Sequence, residues 1–135
     1  MAKQSRRQFI TKAAAITSLA AIPASAINAT PSADRLFIHH VYFWLKNHDS
    51  KEDKDKLIAG LKKLSAVKTI KSFHIGEPAA TNRDVIDRSY SVSWCLFFKN
   101  KADQDSYQTD PIHLNFVKTC SELWEKVIVY DAEDI

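Results

Sequence analysis

The clearest pattern in the chain is a stretch from Leu36 to Leu45 that is β-rich and apolar on both parities. His39, Val41, Phe43 and Leu45 fall on one side, and His40, Tyr42 and Trp44 on the other. A strand that is apolar on both faces must be covered on both. Asp49 or Ser50 is placed to open a helix, with Glu52 or Asp53 three residues on to complete a capping box. Leu57, Ile58, Leu61 and Leu64 make its buried stripe. Lys51, Lys54, Lys56, Lys62 and Lys63 spread over the remainder and read as a solvated surface.

Val67 to Ile75 reads as a second strand, ended by Gly76, and Glu77 to Asp87 as a loop holding Pro78 and Asn82. Ser89 to Lys99 alternates as a third strand. Tyr90, Val92, Trp94, Leu96 and Phe98 share one face, with Ser91, Ser93, Cys95 and Phe97 on the other. Asn100 caps a short helix through Tyr107, and Asp110-Pro111 starts another, with Asp as N-cap and Pro at the first helical position. Val127 to Asp131 closes the chain as a fourth strand.

The order is β-α-β-β-α-β, an α+β fold of the ferredoxin-like type, with a four-stranded antiparallel sheet and helices on one face. The other face would then carry large apolar side chains in the open, a liability unless it pairs. Two such sheets packed face to face form a dimeric α+β barrel, so a homodimer through the sheet face is expected.

Charge changes the picture once the N-terminus is read. Arg6-Arg7-Gln8-Phe9-Ile10, flanked by Ser5 and Lys12, precedes an Ala-rich apolar run from Ala13 to Ile22 and then Pro23-Ala24-Ser25-Ala26. Twin arginines, a short apolar run and a small-x-small site form an export signal over residues 1–26, with cleavage after Ala26. The run has about half of the roughly 20 residues that a spanning helix needs. No cysteine follows the site, so no stable membrane anchor is expected. Residues 27–34 read as a flexible leader and 35–135 as the domain. The expectation is a periplasmic or secreted protein that uses the twin-arginine export machinery.

The full chain has 19 basic and 16 acidic residues. Lys3, Arg6, Arg7 and Lys12 belong to the signal, which holds no acid, so the exported part has 15 basic residues against 16 acidic. The basic balance is therefore a property of the signal, and nucleic-acid binding loses its electrostatic footprint. The two glycines, Gly60 and Gly76, cannot build a phosphate-cradling loop. There is no His-Glu-x-x-His, no Cys-x-x-Cys and no Gly-x-Ser-x-Gly, so neither a metal nor another cofactor is expected. Cys95 and Cys120 permit one disulfide, but their places in a strand and near a helix end point to buried free thiols.

Three stretches carry a resemblance. The segment from Ile38 to Lys46, the segment Tyr107-Gln108-Thr109-Asp110-Pro111-Ile112-His113-Leu114-Asn115-Phe116-Val117 and the closing Val127-Ile128-Val129-Tyr130-Asp131 together resemble the stress-responsive A/B barrel (Dabb) family over nearly all of residues 36–132. In that family the second segment usually runs Tyr-x-x-His-Pro-x-His; here Asp110 stands at the first His. The family includes plant polyketide cyclases that work without metal or organic cofactor, through a His–Tyr pair in a pocket between sheet and helices. The resemblance places that pair on His113 and Tyr107, and the first-strand histidine on His39. A third-strand histidine of those cyclases falls near Val92, which cannot serve, so the cyclase reaction is not carried over.

His39 and His40 are adjacent on a strand and leave opposite faces, so they cannot chelate one metal together. His39 should point towards the helices, where His113 could approach it. In such a cluster a neutral imidazole takes a proton while the Tyr107 hydroxyl polarises a carbonyl. His40 reads as a barrel-interior packing residue, and His74 is unassigned. Two functions remain open. One is a small-molecule-binding, stress-associated homodimer with an aromatic cavity of Phe43, Tyr90, Trp94 and Phe116. The other is a cofactor-independent enzyme of the cyclase, lyase or monooxygenase type, with His113 as base and Tyr107 as partner.

Overall fold

The structure, a computed structural model, describes residues 34–135. The expected signal of residues 1–26, with Arg6, Arg7 and the site after Ala26, lies outside the described residues, as does the leader up to residue 33. Strand β1 (Phe37–Leu45) is followed by helix α1 (Lys51–Leu64), β2 (Ile70–Gly76), β3 (Val92–Phe98), α2 (Lys101–Thr109), α3 (Pro111–Cys120), a short 3-10 turn and β4 (Trp124–Glu133). The sheet order is β2-β3-β1-β4, and all three pairings are antiparallel. This is the ferredoxin-like β-α-β-β-α-β arrangement, its second helical segment divided into α2 and α3.

The central place of β1 explains why its sequence is apolar on both parities. Phe37, His39, Val41, Phe43 and Leu45 are buried beneath the helices. Ile38, His40 and Tyr42 face the other way and are half-buried. Under the helices, Leu45, Leu57, Leu61, Val92, Leu96 and Phe98 are fully enclosed. Burying one such side chain contributes about 1.5–3 kcal/mol, so this layer holds the domain together. Helix α1 packs against α3 at close quarters because Gly60 has no side chain. A Cβ there would stand 2.6 Å from Cys120 Sγ and 3.2 Å from the Phe116 ring.

The caps follow the polar residues that precede each helix. Ser50 accepts from the Asp53 amide at 3.1 Å, and Asn100 from the Asp103 amide at 2.9 Å. The ends of the strands differ from the sequence pattern. Val67 is buried, but its carbonyl closes a turn with the Ile70 amide, so β2 starts three residues later than alternation suggests. β3 begins at Val92 rather than Ser89, because Asp87 Oδ1 accepts the Ser89 amide and holds that stretch in a turn. β4 is longer than expected at both ends. Cys95 and Cys120 are free thiols, one on the open sheet face and one between α1 and α3.

Candidate functional site

Asp110 is the pivot of the site. It ends α2 and begins α3, where its carboxylate accepts the Ile112 amide at 2.8 Å and Pro111 takes the first helical position, whose amide needs no partner. The break sets Tyr107, in the last turn of α2, beside His113, in the first turn of α3. Their ring centroids are 4.6 Å apart. Where the family motif usually has an imidazole, this chain has a carboxylate that is spent on capping.

The last carbonyls of a helix lack intrahelical partners. One of them, Gln108 O, accepts a hydrogen bond from His113 Nδ1 at 3.1 Å. A carbonyl can only accept, so Nδ1 carries the proton of the neutral ring and Nε2 keeps its lone pair. Burial also pushes the His113 pKa down, with the Gln108 hydrogen bond opposing and the nearby His39 adding to the decrease. The ring is thus a neutral base near pH 7 with its basic nitrogen specified.

Tyr107 is 1 % exposed, and its hydroxyl accepts from Trp94 Nε1 at 3.2 Å. Accepting that bond leaves its own proton free to donate. Burial lifts its pKa to about 12, only partly offset by the Trp94 hydrogen bond. Because the folded value lies above the ordinary 10.0, the stability linked to the neutral phenol is complete below pH 10. It is lost as the pH rises from there towards 12. Tyrosinate absorbance of folded protein should therefore show a step at about pH 12, and Tyr107→Phe should delete it. A titration of folded protein with no such step, or one unchanged in Tyr107→Phe, would contradict this assignment.

His39 completes the group. Its ring is 5.9 Å from that of Tyr107, and its Nδ1 lies 2.6 Å from Asp131 Oδ1 across the β1–β4 ladder. The carboxylate accepts, so Nδ1 is the donor here too. His39, Tyr107 and His113 line one cavity of about 160 Å3 between β1, β4 and the α2–α3 corner. Its remaining wall is mostly apolar, with Phe43, Trp94, Phe116, Val117, Val127 and Val129.

Of the four aromatic residues expected to line a single cavity, Phe43, Trp94 and Phe116 do so. Tyr90 does not. The strand has ended before Tyr90 is reached, so strand parity no longer fixes its direction, and its ring lies 4.9 Å from Tyr42 on the opposite sheet face. There it joins Tyr42, Trp44, Asp87, Ile128 and Tyr130 around a second cavity of about 280 Å3. His40 and His74 also lie on that open face. Sequence reasoning missed Asp131, the Gln108 carbonyl and the Trp94 N–H. Asp131 had one available signal, as the lone acid in the stretch Val127 to Asp131 that the sequence marks as the closing strand. Among the described residues no cluster of three or more His, Cys, Asp or Glu could hold a metal ion. No helix among them is long and apolar enough to cross a membrane.

The fold has counterparts in known structures. A Dabb family protein with a ferredoxin-like fold from Mesorhizobium loti superposes with a TM-score of 0.63 at 21% identity, over 75% of this chain and 98% of its own. A hydroxynitrile lyase from Passiflora edulis gives 0.62 at 22% identity, over 76% and 95% of the two chains. A dimeric ferredoxin-like protein of unknown function from Thermobifida fusca gives 0.60 at 14% identity, over 73% and 90%. At these identities the likeness is one of fold. No curated protein matches the chain. The Stress responsive A/B Barrel Domain family matches residues 37–134, which takes in every strand and helix described above, and the chain belongs to that family.

Proposed function

We propose that this protein is an exported homodimer whose cavity between sheet and helices takes a small ligand with a carbonyl or hydroxyl group and moves a proton on it. The convergence of His39, Tyr107 and His113 on one cavity carries the reading. His113 Nε2 takes a proton from the hydroxyl of a cyanohydrin as the carbon–cyanide bond breaks. The electron pair leaves with cyanide, and the imidazolium returns the proton to it. On a carbonyl compound, Nε2 takes a proton from the carbon beside the carbonyl to leave an enolate. The Tyr107 hydroxyl donates a hydrogen bond to the oxygen where negative charge gathers. A base that is neutral near pH 7 and a donor that stays protonated are what such a step needs. A hydroxynitrile lyase on the same fold supports an enzyme of the lyase type.

The size of the cavity narrows the ligand. An apolar cavity of about 150 Å3 holds benzene, so about 160 Å3 suits a ligand that places a single ring in it. The test is a panel of single-ring aryl cyanohydrins and aryl ketones, followed by aldehyde release and by deuterium uptake beside the carbonyl. Turnover of at least one member, with an acid limb below the ordinary histidine pKa, is expected. The apolar remainder of the wall favours a second reading, a binding protein without catalysis. Saturable binding of panel members with no turnover would decide for it.

The homodimer reading rests on the open sheet face, where Tyr130 is 64% exposed beside Tyr42 and Tyr90. Neighbours of the same fold described as dimeric support it. Export rests on the twin-arginine motif. Protein cut after Ala26 should appear in the periplasm, and Arg6→Lys with Arg7→Lys should hold the precursor in the cytoplasm. Export undiminished by both substitutions would dismiss the twin-arginine route.

A further inference from the structure

Facing residues in a β-ladder lie on the same side of the sheet. In this register Cys95 on β3 stands between His74 on β2 and His40 on β1, and Tyr130 on β4 stands beside His40. The open face therefore carries a row, His74–Cys95–His40–Tyr130, that crosses all four strands. The His40 ring packs on Tyr42 with centroids 4.3 Å apart, and its Nδ1 is 3.1 Å from the Tyr42 hydroxyl.

This row contains two imidazoles and no carboxylate. The groups facing His40 offer no anion near neutral pH. Burial raises the Cys95 thiol, and burial together with Tyr90, Cys95 and Tyr130 raises the Tyr42 hydroxyl. Burial first, then His74 and His39, push His40 down. The charges at the two ends are engaged elsewhere. Lys126 stacks over Trp44 with Asp87 nearby, the Asp134 carboxylate accepts the Leu36 amide, and Arg35 pairs with Glu133 and donates to the Asp134 carbonyl. Asp131, next to Tyr130 in sequence, points to the opposite face and holds His39.

Resting on the reading that two copies meet through this face, we propose that the contact between the copies is proton-sensitive, formed with neutral His40 and His74 and opposed by their imidazolium forms. A two-fold contact presents the row twice, so four imidazoles enter one desolvated interface. A buried charge without a partner opposes association strongly. The separated chains take up these protons more readily than the dimer does. The dimer is therefore at full strength where these imidazoles are neutral in the separated chains, and it weakens as the pH falls and they take up protons.

Sedimentation equilibrium on the full domain, from about pH 7.5 to about pH 5.5, reads this directly. Each proton that the monomer binds in excess weakens the dimer about tenfold per pH unit. We expect a loss of at least about tenfold over that range, with His40→Gln and His74→Gln each flattening the dependence. Circular dichroism at the same pH values separates dissociation from unfolding, and unfolding in place of dissociation would overturn the proposal. A dimer of equal affinity throughout, or a slope unchanged in both variants, overturns it while leaving the dimer reading intact. A monomer at every pH and concentration overturns both.

Discussion

Alanine in place of Trp94 is expected to lower the stability of the domain by about 3–5 kcal/mol, the usual result of removing a large buried aromatic side chain. The indole is 1% exposed at the junction of sheet and helices, 5.2 Å from the Phe73 ring. It also supplies the N–H that the Tyr107 hydroxyl accepts, so truncation removes packing and a buried hydrogen bond together. Trp94→Phe separates the two. Most of the contact area remains, and the lost hydrogen bond alone should cost about 1 kcal/mol. Urea denaturation gives both values from the shift in midpoint at constant slope. Equal losses in the two variants would mean that the hydrogen bond dominates, and the packing account would fail.

The second large effect falls on turnover. His113→Ala should reduce the rate on any panel substrate by roughly 100- to 10,000-fold, the contribution of a positioned general base. The global fold should be retained, because His113 is a half-buried residue of the cavity wall and outside the main core. The loss belongs mainly in kcat, since the lone pair at Nε2 is used in the reaction more than in holding the ligand. Tyr107→Phe should show a smaller loss of rate and a measurable loss of stability, because it leaves the Trp94 N–H without its acceptor. A His113→Ala protein with unchanged turnover would remove the base from the account while leaving the cavity as a binding site.

The parts of this molecule that were legible in its sequence are those governed by local rules. Ser50, Asn100 and Asp110 cap the helices because their side chains reach amides two or three residues ahead. The side assigned to His39 followed from strand parity alone, since the burial pattern of β1 alternates without a break through Phe43. Parity failed at Tyr90 because it applies only inside a strand, and the Asp87–Ser89 turn ends the strand before that residue. The pairing of His39 with Asp131 depends on the register between β1 and β4, a tertiary quantity that neither strand encodes by itself. The group that orients His113 is a backbone carbonyl, and residue identity carries little information about it.

That orientation is the centre of the functional reading, and it can be measured without knowing the ligand. Long-range nitrogen–proton correlation spectra of 15N-histidine-labelled protein report which ring nitrogen of His113 bears the proton. Near pH 7 the ring should be neutral, with the proton on Nδ1 and a pyridine-like Nε2 that shifts when a panel ligand binds. A charged ring at that pH, or a proton on Nε2, would contradict the functional reading.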